Sequence, residues 1–110
     1  MSKVYAVVHY FGDDISDAGW TDWEKVEVIY TSVDAAIKHC DEWERRFRQD
    51  VEELGTMDSY TYSTDNDNEC SSMYDRISIR LFTKENRNYT EEQGIEICVF
   101  DLLDTFERES

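Results

Sequence analysis

The stretch Ser32–Gly55, SVDAAIKHCDEWERRFRQDVEELG, decides how the rest of the chain is read. Its apolar residues fall at Val33, Ala36, Ile37, Cys40, Trp43, Phe47, Val51 and Leu54, the three-and-four spacing of one helical face. Ser32 is a good N-cap, and Asp34 puts a negative charge in the first turn, where the helix dipole favours it. Gly55 stands at the C′ place, where a left-handed residue closes a helix. The polar face carries Asp41 before Arg45, Glu42 before Arg46 and Glu44 before Arg48, each four apart and acid first; such pairs contribute roughly 0.2–0.5 kcal/mol apiece. The middle of the helix is therefore close to neutral, and the uncompensated charge lies elsewhere.

The flanking segments read as strands. VYAVVHYF, Val4 to Phe11, is β-branched and aromatic and apolar on both faces, as a central strand would be. Lys25 to Ser32 alternates, with Val26, Val28 and Tyr30 on one side. The two are expected to pair as a hairpin, with GDDISDAGWTDWE, Gly12 to Glu24, as its long exposed loop. Beyond the helix, Tyr60 to Ser63 suits a short strand and Asp65 to Ser72 a loop. Arg76 to Thr83 alternates with Ile77, Ile79 and Leu81 on one face. Lys84 to Gly94 reads as a connection with turn chemistry. Ile95 to Phe100 alternates again, with Ile95, Ile97 and Val99 inward, and the tail from Asp101 extends the strand briefly or forms a turn before fraying. The expected fold is a single α+β domain over residues 1–110: an antiparallel sheet of four or five strands with one long amphipathic helix packed on one face.

The chain has 110 residues, enough for one domain, and is 40% hydrophobic, enough for one core. It has no apolar run of membrane-spanning length, and acids follow the first apolar run where a secretion signal would need small residues. Three scattered cysteines, Cys40, Cys70 and Cys98, do not make a disulfide framework and fit a reducing, cytoplasmic setting. The dominant feature is charge: 26 acids against 11 bases, a net −15 at pH 7. Such a surface repels DNA, RNA and anionic membrane and attracts proteins with basic grooves. The alternative meaning of the charge is solubility alone.

The catalytic and metal-binding patterns fail. Asp65, Asp67 and Glu69 resemble the start of an EF-hand loop, but the required Gly and final Glu are replaced by Cys70 and Arg76. His39 and Cys40 are adjacent, so a helix points them apart, and no CxxC or HxxxH occurs. No nucleophile–base pattern and no glycine-rich phosphate loop are present. The expectation is a protein with no catalytic residues, no metal and no cofactor.

What remains is a partner surface. Uncompensated acids gather at Asp13, Asp14, Asp17, Asp22 and Glu24, at Asp65, Asp67, Glu69 and Asp75, and in the tail. Trp20, Trp23 and Tyr74 sit among them, and such aromatics are common binding anchors. In an extended segment alternate residues lie about 6.6 Å apart on one side, of the order of the phosphate spacing along a nucleic-acid strand. A rigid acidic protein can thus occupy a groove lined with the Lys and Arg that bind phosphates.

KVYAVVHYFGDD, then EKVEVIYTS running into DAAIKHCDEWERRF, resembles small cytosolic proteins of bacteriophages and mobile elements, over residues 3–54. In size, acidity and absence of a catalytic motif the chain is similar to phage anti-defence inhibitors, including anti-CRISPR and anti-restriction proteins that act as DNA mimics. The resemblance implies an inhibitor docked on the basic nucleic-acid groove of a host nuclease. Arg45, Arg46 and Arg48 depart from a pure mimic and move the expected contact from the helix to the loops. The alternative is a small regulatory or homodimeric assembly protein.

Overall fold

The structure, a computed structural model, describes residues 2–15, 19–65, 75–86 and 89–102. Five strands, β1 (Ser2–Ile15), β2 (Gly19–Tyr30), β3 (Tyr60–Asp65), β4 (Asp75–Asn86) and β5 (Tyr89–Leu102), form one antiparallel sheet in the order β2-β1-β5-β4-β3. Among the described residues a single long helix, α1 (Val33–Glu53), packs on one face, followed by a short 3₁₀ turn at Met57–Ser59.

The caps operate as the sequence implies. The Ser32 hydroxyl accepts from the Ala35 amide at 3.3 Å. Gly55 adopts φ 70°, its amide donates to the Glu52 carbonyl at 2.9 Å, and the Thr56 amide donates to the Val51 carbonyl at 3.1 Å. This pair of bonds is a Schellman closure.

The helix joins the two edge strands, which dictates its length. It must cross four inter-strand spacings, about 19 Å. It must also climb from the level of Tyr30 and Val99 to that of Tyr60 and Glu91, eight residues along β5 or about 26 Å. The diagonal is about 32 Å, and 21 helical residues at about 1.5 Å each supply about 31 Å. Along that diagonal Ala36, Cys40 and Val7 pack with Ile95 and Ile97, then Phe47 and Val51 pack with Phe82. Phe82 lies 4.3 Å from Phe47 and 4.6 Å from Tyr62, ring to ring.

Several expectations are corrected. The acidic stretch is not a long loop: β1 runs to Ile15 and β2 starts at Gly19, with Asp13 opposite Thr21 and Phe11 opposite Trp23. Acidic residues continue a strand readily where one face meets solvent, and the stacked Phe11 and Trp23 rings, 5.8 Å apart, favour pairing. Lys84 to Gly94 is likewise mostly strand, with Lys84 opposite Glu91. Two bulges break the simple alternation. At Glu27 the register shifts, so Val28 and Tyr30 face the helix while Val26 is 54% exposed on the other face. At Ile77 a second shift turns Ser78, Arg80 and Phe82 toward the helix and leaves Ile79 and Leu81 on the opposite face. Of the three helix ion pairs expected, Glu44–Arg48 forms at 3.0 Å; Glu42 pairs with Arg45 instead, and Asp41 is taken by Arg80 of β4. Arg80 also reaches Glu44 at 3.2 Å, tying the sheet to the helix.

Candidate functional site: an acidic sheet face

Among the described residues no element covers the face of the sheet opposite the helix. Register decides what that face carries. Facing pairs in antiparallel strands share a side, so Gly12, Tyr10 and Val8 of β1 lie with Glu92, Gly94 and Glu96 of β5, with Glu24 and Val26 of β2, and with Thr83, Leu81 and Ile79 of β4. Glu85, opposite Thr90, belongs to the same face. Successive rows are about 6.6 Å apart along the strands and neighbouring strands about 4.8 Å apart. Glu24 and Glu85 are exposed, while Glu92 and Glu96 are half-buried.

Glu24, Glu92 and Glu96 border a cleft of about 210 Å3 floored by Gly94 and walled by Tyr10, Ile79 and Leu81, with Arg76 at one end. Gly94 keeps the floor low: a Cβ there would lie 2.7 Å from the Arg80 carbonyl oxygen and 2.9 Å from the Leu81 side chain. Burial pushes the Glu96 carboxyl up, against the pull of Arg76 3.5 Å away. The Cys98 Sγ–H donates to Glu96 at 3.6 Å, and burial raises that thiol to about 12. Cys40, in the core, is raised by burial to about 11. Neither thiol is an activated nucleophile.

The expected site residues divide. Asp13, Asp14, Trp20, Asp22, Trp23 and Glu24 do converge, at the end of the sheet where β1 and β2 meet. Strand alternation splits them: Glu24 shares the open face with Tyr10, whereas Trp23 shares the helix face with Phe11 and His9. Asp14, opposite Thr90, and Asp22, opposite Gly12, occupy open-face register positions. Asp65 ends β3 opposite Ile79, in the row of Glu96. Asp75 begins β4 opposite Val99, at the other end of the sheet from Asp13, about 26 Å away along the strands. Asp17, Asp67, Glu69 and Tyr74 lie outside the described residues. Reading residues 84–94 as a connection concealed Glu85, Glu91 and Glu92. The period-two run Thr90, Glu92, Gly94, Glu96, Cys98 was the signal that could have revealed them.

On the helix side of the same end, Glu91 accepts from the Tyr60 hydroxyl at 2.7 Å, the Tyr89 hydroxyl at 2.6 Å and Gln93 at 3.5 Å. Burial raises the Glu91 carboxyl, but these three bonds outweigh it and leave it below the usual range. Among the described residues no group of His, Cys, Asp and Glu is placed to hold a metal, and no helix is long and apolar enough to cross a membrane. Compared with known proteins, the chain matches no family, no curated protein and no solved structure.

Proposed function

We propose that the chain is a non-enzymatic binding protein whose open sheet face docks on the basic nucleic-acid groove of an enzyme such as a nuclease, in the manner of a DNA mimic. The supporting observation is the placement of Glu24, Glu85, Glu92 and Glu96 on one face of a rigid sheet, with Asp14, Asp22 and Asp65 at positions of the same register. A sheet holds such charges in fixed rows, so little conformational entropy is lost when they meet Lys and Arg. The remaining charge of the −15 chain steers association and makes it salt-sensitive. The inhibitor class that fits is the anti-defence type, acting in the cytoplasm of the cell that makes the nuclease.

The test is a pull-down from bacterial cytosol at low salt, eluted with a salt gradient. A single nucleic-acid enzyme released at moderate salt and displaced by duplex DNA supports the reading; partners indifferent to DNA refute it. A second reading, a homodimer, draws on the apolar end of the same face, where Val26, Ile29, Phe100 and Leu102 are each more than 40% exposed. A dimer that strengthens with salt in sedimentation supports that reading instead.

A further inference from the structure

His9 lies in the middle of β1 on the helix side, with its ring edge-on to Trp23 of β2 at 5.3 Å and to Trp43 of α1 at 5.7 Å. Its Nε2 is buried and has no hydrogen-bond partner among the described residues. Its Nδ1 is 3.7 Å from the carboxylate of Glu27, the bulged residue of β2. Trp23 is 47% exposed and rests on only His9 and Phe11 among the described rings. The imidazole therefore shares with Phe11 the seating of Trp23, on the outer half of β2 that also pairs with β1, and it can do so only while Nε2 needs no acceptor.

We propose that His9 is an acid-sensitive catch for β2: neutral, it seats Trp23 against the sheet; protonated, it leaves the Trp23–Trp43 slot toward Glu27 and releases that end of the strand. The route is open. Glu27 borders a groove of about 530 Å3 between β2 and α1, whose other charged or titratable groups are Tyr30, Lys38, His39, Glu42 and Arg46. His39 is held by Tyr30, its Nδ1 3.0 Å from the hydroxyl oxygen. Lys25 stands directly opposite His9 on β2, and from β5 the facing residue is Ile95, which carries no charge. Burial lowers the readiness of His9 to protonate, Glu27 opposes this and Lys25 reinforces it. Glu24, on the other side of the same strand, moves with Trp23, so release rearranges the acidic face. That regulatory consequence rests on the docking function proposed above; the catch itself does not.

The experiment uses the full chain labelled with 5-fluorotryptophan, its 19F resonances assigned by Trp20→Phe, Trp23→Phe and Trp43→Phe. Lowering the pH from about 7.5 to about 5 spans the titration of an ordinary or depressed histidine. With far-UV circular dichroism unchanged, the Trp23 resonance is expected to move to a solvent-exposed position and to gain a water/deuterium isotope shift. His9→Gln abolishes the pH dependence. Glu27→Gln lowers the midpoint by on the order of half a pH unit, and Lys25→Gln raises it. A flat Trp23 resonance in the wild type, the same curve in His9→Gln, or midpoints unmoved in both charge variants overturns the catch; the charge variants decide should His9→Gln fail to fold. No partner is present, so a negative result leaves the docking function standing, and a failed pull-down leaves the catch standing.

Discussion

Replacing Gly94 by Ala tests whether the cleft floor is built by the close approach of β5 to β4. An Ala Cβ at this position would lie 2.7 Å from the Arg80 carbonyl oxygen, a backbone atom that cannot rotate away, and 2.9 Å from a Leu81 methyl that can. Overpacking of this kind costs about 1–3 kcal/mol. Ala also removes the flexibility penalty of a strand glycine, a gain of about 0.5–1 kcal/mol. The net expectation is destabilisation by about 0.5–2 kcal/mol, and each kcal/mol lowers Tm by roughly 4–8 °C in a domain near this size. Urea denaturation followed by circular dichroism measures it directly. The variant should show a lower midpoint with an unchanged m-value, because the sheet shifts without changing the area exposed on unfolding. A Gly94→Ala protein as stable as the wild type, or more so, refutes the close approach and with it the shape of the cleft.

Gly55 gives the complementary case: nothing lies within 4 Å of a Cβ there, but φ is +70°, so Gly55→Ala should cost about 1 kcal/mol from backbone strain alone and Gly55→Asn less, by the same denaturation assay. Phe82 is fully buried in a cluster of rings, and Phe82→Ala should remove about 3–5 kcal/mol, enough to broaden or abolish the cooperative thermal transition. The lowered Glu91 carboxyl contributes stability that is complete above its unfolded value near 4.5 and is lost as pH falls through the folded value. Tyr60→Phe should shrink that acid-sensitive increment in denaturation midpoints measured across this window. Cys40 and Cys98 should resist alkylation by iodoacetamide near pH 8 in the native protein and react once it is unfolded, as mass spectrometry of the labelled peptides would show.

The helix was legible because every local signal agreed: period, N-cap and C′ glycine all mark the same boundaries. The sheet was legible as a set of strands but not in their extent. Acids at Asp13, Asp14, Glu91 and Glu92 suggested loops, yet a half-exposed strand accepts a carboxylate such as Glu92 on its open side, Glu91 is held by hydroxyls on the other, and long-range pairing decides where the strand ends. The bulges at Glu27 and Ile77 lay beyond pattern reading, since one extra residue reverses every face after it. That reversal hid Phe82 from the expected core and gave Ile79 and Leu81 to the cleft. Arg80 escaped for a related reason: its carboxylate partners, Asp41 and Glu44, come from the helix and meet it only when the helix lies across β4. Asp13, Asp14, Asp22 and Glu24 lie at one end of the sheet, but the register was needed to put the positions of Asp14, Asp22 and Glu24 on the face opposite Trp23.

In the proposed complex the sheet face, and not the overall charge, makes the contact. Three baits run through the same low-salt pull-down decide it: wild type, Glu24→Lys/Glu92→Lys on the open face, and Asp50→Lys/Glu53→Lys on the exposed side of the helix, the two variants changing the net charge equally. Wild type and the helix variant are expected to retain the same DNA-displaceable enzyme and elute at similar salt, while the open-face variant loses it. Equal loss in both variants, or no stoichiometric partner for any bait, contradicts this.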